Sequence, residues 1–185
     1  MKAMANNIRV VGLDPSLRHW GIATGLLDID SGEMEVVSLD VVEPVLSKGK
    51  QVRQNSLDLE SAAQLYEGAA GAAKAAQAVF VEVPVGSQSS RAMASYGICA
   101  GVLGAMRANG IPFFEVTPTE VKLAGPGKKT ASKSEMIHWA TATYPGAPWP
   151  YYTQKGEVLL SEARAEHMAD AIAAIHAGVA GAAIF

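Results

Sequence analysis

Apolar residues in the N-terminal part of the chain follow the patterns typical of β-strands, either as short continuous runs or in alternation with polar residues. Three such segments come one after another, and the Asp30-Ser31-Gly32 triplet between the second and third predicts a hairpin turn. Two more segments follow later. The five predicted strands are 8–14, 20–28, 34–42, 78–83 and 111–116.

In other parts of the chain, small and apolar residues recur at helical spacing. Asn109-Gly110 predicts the end of one helix, and Thr117 followed by Pro118 predicts the start of another. The segment 144–160 shows neither period, and we expect a loop there. The predicted helices are 56–77, 89–109, 117–124, 132–143 and 161–180.

The order of these elements predicts an α/β fold with one mixed sheet. Three consecutive strands favour an antiparallel meander, whereas the last two arrive through helices and favour parallel pairing. A mixed five-stranded sheet flanked by helices is the ribonuclease H-like architecture. No internal repeat or linker divides the chain, and 185 residues can bury about 70% of their unfolded surface, so we expect a single domain over 1–185.

Composition narrows the class of protein. With 49% hydrophobic and 18% charged residues the chain is globular, and no apolar stretch reaches the roughly 20 residues that a membrane span needs. No apolar signal segment is visible at the N-terminus. The single cysteine, Cys99, cannot form an internal disulfide, and we expect it to pack in the core. These features predict a cytoplasmic protein.

The net charge of −3 and the pI near 5.8 argue mildly against a nucleic-acid partner, because domains that bind nucleic acids are usually basic. The charge is not evenly distributed, however. Four lysines lie within twelve positions that contain no acidic residue, and they are Lys122, Lys128, Lys129 and Lys133. The whole-chain charge therefore does not exclude a nucleic-acid partner.

Three acidic residues lie in apolar segments where a charge is costly. Asp14 ends the first predicted strand, Glu82 lies in Val79–Val83, and Asp170 lies in an Ala-rich helix. A buried carboxylate costs several kcal/mol unless it is paired or bound to a metal. Asp14 also has a purely structural explanation, because it precedes Pro15 in a possible turn. Glu82 fits such an explanation least well.

The last predicted helix carries further acidic residues on one face. Glu162, Glu166 and Asp170 follow each other at intervals of four, and His167 lies three residues before Asp170. A solvated face explains Glu162 well, but apolar residues surround Asp170. Carboxylates brought close together repel unless divalent cations neutralise them. Oxygen ligands with a neutral histidine suit Mg²⁺ or Mn²⁺, and two such ions can hydrolyse a phosphodiester.

These residues fall into motifs that resemble the RuvC-type Holliday junction resolvases of the ribonuclease H/integrase superfamily. The matches occur in chain order from residue 8 to about 177, and five in order are specific although each alone is weak. They are Gly12–Gly21 with Asp14, Pro15, Arg18 and Gly21 at matching offsets, Val81-Glu82, Tyr96–Gly101, Thr117–Lys122 continuing to Ala131–Ser134, and His167–Ala171.

The resemblance implies that Asp14, Glu82, His167 and Asp170 bind two Mg²⁺ ions, for which Mn²⁺ can substitute, and are catalytic. It implies that Lys122 and Lys133 contact the phosphate or stabilise the transition state. Members of the family are homodimers that nick four-way junctions in pairs. We also expect a set of DNA contacts, comprising Lys122, Lys128, Lys129, Lys133, Arg91 and Arg18, although Arg91 is equally well explained as a solvated residue.

The chain also departs from the family pattern. The family usually has an aromatic wedge residue three positions after the strand glutamate, where this chain has Val85 followed by Gly86. The segment 144–152 is longer than usual and carries four aromatic residues, which could stack on unpaired bases or cover the core. These departures are typical of a divergent, compact member, such as a phage could encode.

Some remaining residues leave two interpretations open. Gly97, Gly101 and Gly104 share one helix face, which suits either a dimer contact or packing on the chain's own sheet. The histidines His19, His138 and His176 lack ligand-like spacing, so we expect packing or surface roles.

The leading hypothesis is a Mg²⁺-dependent endonuclease that resolves four-way DNA junctions and leaves 5′-phosphate ends. One alternative is the same site acting on flaps, forks or RNA–DNA hybrids. Another is a different class of protein, either a nucleotide-binding relative of actin and sugar kinases or a non-cutting DNA-binding module. The chain is short for a two-lobed kinase and has no glycine-rich phosphate loop after Asp14. A non-cutting module would not need Glu82, His167 and Asp170 together.

Overall fold

The fold is known from a computed structural model that describes residues 6–49 and 51–181. A mixed five-stranded sheet forms its centre, with the strand order β3-β2-β1-β4-β5. The strands are β1 (Asn7–Asp14), β2 (Trp20–Asp28), β3 (Met34–Val42), β4 (Ala78–Glu82) and β5 (Phe114–Val116). The predicted fold class is confirmed.

Strand pairing follows the predicted topology. β2 pairs antiparallel with both β1 and β3, and β4 pairs parallel with both β1 and β5. Because β1 and β4 run in the same direction, they end at the same edge of the sheet. The register places Leu13 beside Val81, so the next residues, Asp14 and Glu82, lie next to each other at that edge.

Five helices surround the sheet within the described part of the chain. They are α1 (Gln54–Lys74), α2 (Ser90–Ala108), α3 (Pro118–Ala124), α4 (Lys133–Thr143) and α5 (Glu162–Gly181). Capping boxes begin α3 at Thr117 and α4 at Ser132, where each hydroxyl accepts a backbone N–H and a glutamate reaches back. The sequence predicted all five helices, with bounds that differ by up to three residues.

The two faces of the sheet bury separate cores because strand side chains alternate in direction. On one face, Val10 and Phe80 pack with α5, α3 and α4. On the other, Val11 and Val81 pack with α1 and α2. Cys99 of α2 is fully buried in that second core, as predicted.

Glycines let α5 lie unusually close to the sheet. A Cβ atom added at Gly12 would lie 1.9 Å from the carbonyl oxygen of Ala171, and one at Gly21 would lie 2.1 Å from that of His167. At the C-terminal half of α5, a Cβ atom at Gly178 would meet the Phe80 ring at 1.9 Å. A side chain at Gly12 or Gly21 would displace the backbone of α5, and one at Gly178 would displace α5 or the Phe80 ring.

The predicted loop over 144–160 is wrong in its second half. Residues 151–160 form an antiparallel hairpin of β6 (Tyr151–Gln154) and β7 (Glu157–Leu160), and Lys155 (φ 50°) and Gly156 (φ 85°) form its turn. Trp149 is buried in the core, whereas Tyr151 and Tyr152 are exposed. The aromatic residues of this segment are therefore divided between core packing and the surface.

None of the described helices is long and apolar enough to cross a membrane.

Candidate active site

Asp14, Glu82 and Asp170 meet at the end of the sheet where β1 and β4 finish. The close approach of α5 to the sheet brings Asp170 to the two strand ends. One carboxylate oxygen from each residue lies within 4.8 Å of the others, and among the described residues this is the one group of three or more potential ligands. The structure therefore brings together three acidic residues that are far apart in the sequence.

His167 lies one helical turn before Asp170 and also reaches this group. Its Nδ1 atom lies 2.6 Å from Oδ2 of Asp14. The side chains of both residues are largely buried, with 19% and 14% of their surface exposed. An Nδ1–H that donates to Asp14 fixes the ring and leaves Nε2 as the other polar atom of the histidine.

The acidic group carries a large electrostatic cost. Burial raises the pKa of Glu82 to about 9, with further contributions from Asp14 and Asp170 and a smaller opposing effect of Lys122. Burial also raises the pKa of Asp170 to about 8, together with the charges of Asp14 and Glu166. At neutral pH the protein alone therefore holds protons on carboxyl groups that would otherwise be ionised.

The pKa of His167 is also raised, which for a base favours the charged form. Burial alone lowers its pKa, but the hydrogen bond and charge of Asp14, with the charges of Glu166 and Asp170, raise the pKa above its ordinary value. The carboxylates around His167 thus favour its protonated form more than water would.

The donor set fits divalent cations such as Mg²⁺ or Mn²⁺. Oxygen atoms of three carboxylates converge, no thiolate is close, and the surrounding cations leave their negative charge incompletely compensated. Asp14, Glu82 and Asp170 could hold such ions, and His167 could complete the ligand set.

The acidic group opens into a cleft of about 270 Å³. The cleft is lined by the four residues predicted to bind metal, Asp14, Glu82, His167 and Asp170. The other lining residues are Pro15, Ser16, Pro84, Val85, Gly86, Tyr96, Pro118 and Glu166. Val85, at the expected wedge position, is 77% exposed. A phosphate group could enter this cleft from solvent.

The two predicted catalytic lysines lie on consecutive helices, α3 and α4. Lys122 of α3 is half-buried, and its charge lowers the pKa values of both Glu82 and Asp170. Lys133 begins α4, and its Nζ atom lies 2.7 Å from Oε1 of Glu166. Lys133 is thus paired with an acid of the neighbouring helix, while 78% of its side chain remains exposed.

Some of the other basic residues that we predict to contact DNA form ion pairs within the protein, and others do not. Lys128 pairs with Glu135 at 2.7 Å, and Arg91 pairs with Asp58 at 3.2 Å. Arg18 and Lys129 are exposed, and the ion pairs found among the described residues do not include them.

Arg18 and Arg91 line a second cleft of about 510 Å³ beside the acidic one. The two clefts share Ser16 and Tyr96, so together they form one path across the surface.

Sequence reasoning missed two residues at the site. Glu166 was recognised on the same helix face as Asp170, but nothing in the sequence pairs it with Lys133. His19 was expected to be a packing or surface residue, and the structure shows that the ring on which it packs is that of His167, with centroids 5.4 Å apart. Its position five residues after Asp14, directly before β2, was the available signal.

Comparison with known proteins supports the fold. No protein-family model matches the chain, and no curated protein matches it. Among solved structures it resembles RuvC of Thermus thermophilus, both alone and in complex with Holliday junction substrate, with TM-scores of 0.60 and 0.61, 19% identity and 93% of each chain covered. It also resembles the yeast mitochondrial Holliday junction resolvase Ydc2, with a TM-score of 0.57, 14% identity, and 93% of this chain and 81% of that chain covered. The chain therefore has the fold of these resolvases.

Proposed function

We propose that the protein is a metal-dependent, structure-selective endonuclease that resolves four-way DNA junctions. The observation that carries this proposal is the convergence of Asp14, Glu82 and Asp170 within 4.8 Å, with His167 hydrogen-bonded to Asp14. Such a group is electrostatically costly in the protein alone, and binding divalent cations would relieve the cost. The fold, shared with resolvases over 93% of the chain, supports the same assignment.

We assign Asp14, Glu82, His167 and Asp170 to binding two Mg²⁺ ions, with Mn²⁺ able to substitute. When bound, such ions supply the positive charge that activates a water molecule and stabilises the leaving oxygen of a phosphodiester. Asp14 orients the His167 ring through Nδ1, so that Nε2 is available to a ligand or to a proton. In-line attack by water would leave 5′-phosphate and 3′-hydroxyl ends.

The lysines supply the positive side of the site. Lys122 is held close to Glu82 and Asp170 on the short helix α3, whose capping box fixes its start. A cation there would attract the scissile phosphate and stabilise the charge that develops on its oxygens. Lys133, paired with Glu166 of the cleft wall, would contribute a second cation. Arg18 and Lys129, both exposed, would hold the flanking backbone.

Branched DNA is the substrate class that we propose. The Thermus thermophilus RuvC structure was solved in complex with Holliday junction substrate, and Ydc2 is a Holliday junction resolvase. Two adjoining clefts, one acidic and one lined by two arginines, would accommodate a strand that passes through the cutting site. Paired cuts in a four-way junction require two active sites, and we therefore propose a homodimer. We also propose that it acts in the cytoplasm of a bacterial or phage-infected bacterial cell.

Val85 favours a second candidate with the same chemistry. A small aliphatic side chain occupies the position where the family has an aromatic wedge, and it stands exposed at the rim of the cleft. If the wedge serves junction opening, a chain without it would act on flaps, forks or RNA–DNA hybrids instead. The site residues and metals would be the same.

A cleavage panel tests both candidates. Purified protein is incubated with end-labelled four-way junctions, flaps, forks, RNA–DNA hybrids and matched linear duplexes, with Mg²⁺ or with EDTA. We expect Mg²⁺-dependent, symmetric nicks in the junction alone. Preferred cutting of flaps, forks or hybrids would select the second candidate, and no cutting of any substrate would reject both.

The variant Asp14→Asn tests the site. It should lower the cleavage rate by about 100-fold to 1000-fold or more, because a proposed metal ligand is lost. Junction binding should be retained or strengthened, because a negative charge facing the phosphate is removed. Asp30→Asn, an acid in the turn before β3, removes the same charge far from the site and serves as the control. Unchanged cleavage by Asp14→Asn would refute the assignment.

A further inference from the structure

Lys133 and Glu166 form an ion pair that connects α4 to α5 at the rim of the acidic cleft. Both carboxylate oxygens of Glu166 are in reach of Nζ, at 2.7 and 3.0 Å. Glu166 is only 18% exposed and lines the cleft, whereas Lys133 is 78% exposed. Glu166 is therefore a fixed acceptor inside the cleft wall, and the lysine reaches inward to it.

The pair is anchored at both ends. Lys133 is the first residue of α4, directly after Ser132, whose capping box with Glu135 fixes the backbone there. The long lysine side chain would otherwise sample many rotamers in solvent. Glu166 selects the rotamers that direct the ammonium group toward the cleft, and the charges of Asp170 and Asp14 act on the same group.

The contacts of Glu166 distinguish it from the metal-binding carboxylates. It is not part of the group formed by Asp14, Glu82 and Asp170, whose oxygens lie within 4.8 Å of one another. Both of its oxygens instead face Lys133. Its chemistry in this arrangement is that of a hydrogen-bond acceptor for a cation.

We propose that Glu166 is a positioning residue that holds the Lys133 ammonium group at the edge of the acidic cleft, where it meets the scissile phosphate. The inference rests on the proposed nuclease function. Glu166 acts through Lys133 and touches neither the reacting phosphate nor the ions. Removing its charge should therefore misplace one transition-state contact and leave metal binding intact.

Single-turnover cleavage of the preferred branched substrate tests this role with Glu166→Gln. The matched control is Glu162→Gln, which removes the same charge one turn earlier on the same helix, from an exposed residue. Relative to this control, Glu166→Gln should cleave about 10-fold to 100-fold more slowly, since a misplaced contact costs rate. The Mg²⁺ concentration for half-maximal rate and the Kd for DNA measured in Ca²⁺ should stay within about twofold.

Double variants show whether Glu166 acts through Lys133. Lys133→Ala should slow cleavage at least as much as Glu166→Gln, and the double variant should be no slower than Lys133→Ala alone, because the two residues act as one unit. Glu166→Asp keeps the charge and should retain more activity than Glu166→Gln. Additive losses in the double variant would contradict the proposal.

A second measurement does not depend on cleavage. In reductive methylation followed by mass spectrometry, Lys133 should react more slowly than Lys129, which is exposed and outside the ion pairs found among the described residues. Glu166→Gln should remove most of that difference, and Glu162→Gln should not. Equal reactivity of the two lysines in the wild-type protein would overturn the proposed anchoring.

Each other outcome overturns the inference in a distinct way. Wild-type-like cleavage by Glu166→Gln would make the pair a surface contact without a role. Faster cleavage would mean that the ion pair is inhibitory and must break before the substrate binds. A tenfold higher Mg²⁺ requirement would mean that Glu166 is a metal ligand. If the wild-type protein cuts no branched substrate, the proposed function fails, and this inference fails with it.

Discussion

Glu82 and Asp170 each indicate a functional site, because burying a carboxylate is energetically costly. Both carboxyl groups are largely buried among like charges, and burial is the main cause of their raised pKa values, about 9 and about 8. A structural role would pair each with a cation, yet the effects of Lys122 and His167 are too small to restore ordinary values. Within the described part of the chain, this cost falls on the group of carboxylates that could hold divalent cations.

The raised pKa values make a prediction for stability in EDTA. Between about pH 4.5, the ordinary value for Glu82, and about pH 9, the folded protein keeps a proton that the unfolded chain releases. Ionisation therefore favours unfolding, and the free energy of unfolding should fall as pH rises through this window. Glu82→Gln and Asp170→Asn should each be more stable than the wild-type protein by roughly 1–3 kcal/mol at pH 8, and equally stable near pH 4.

Urea denaturation at both pH values in EDTA measures this difference. Glu162→Gln, which removes an exposed acid from α5, should follow the wild-type curve. Adding Mg²⁺ should stabilise the wild-type protein more at pH 8 than at pH 5, because ions compete with protons for the carboxylates. The electrostatic account would be refuted if the two variants were destabilised at pH 8.

At the scale of elements, the position of α5 decides whether the site exists. His167 and Asp170 reach Asp14 only because α5 lies against the backbone of β1 and β2 at Gly12 and Gly21. A methyl group at Gly21 would lie 2.1 Å from the His167 carbonyl oxygen, and neither backbone can yield locally. The glycines of the two strands are thus as necessary to the geometry as the acids themselves.

Gly21→Ala tests this dependence. The variant should lose about 1–3 kcal/mol of unfolding free energy through overpacking, and its Mg²⁺-dependent cleavage should fall by about 10-fold or more, because α5 must move away from Asp14. Gly71→Ala in α1 is the matched control, since a Cβ atom there meets nothing within 4 Å. It should be neutral or gain about 0.4–1 kcal/mol. Wild-type cleavage by Gly21→Ala would show that α5 does not need this contact.

The elements also show what the sequence could predict. Strands β1 to β4 and the helices carry strong periodicity, so their order and the sheet topology could be predicted. The β6–β7 hairpin was missed because its strands have four residues each and little buried surface, which leaves no alternation to detect. The convergence of Asp14, Glu82 and Asp170 followed from strand ends and the family resemblance. The pair between Lys133 and Glu166 joins two helices through long side chains, and no local pattern encodes it.

At the scale of the whole molecule, α2 presents a face that residues 6–49 and 51–181 leave uncovered. Gly97, Gly101 and Gly104 are exposed, and a Cβ atom added at any of them would meet nothing within 4 Å. The interpretation that they pack on the chain's own sheet is therefore wrong. Small side chains allow another backbone to approach closely, which is the geometry that the proposed homodimer would use.

Gly101→Glu tests whether this face joins two copies of the chain. A charged side chain in the middle of the face should prevent close approach, so the variant should sediment as a monomer at concentrations where the wild-type protein sediments as a dimer. Gly71→Glu, in open space on α1, is the matched control because it makes the same substitution in another helix and gains the same helix propensity. The monomer should still nick junctions, but the two nicks should no longer be paired, since one subunit carries one acidic site. A wild-type protein that sediments as a monomer, or a Gly101→Glu variant that remains dimeric, would exclude this face as the interface.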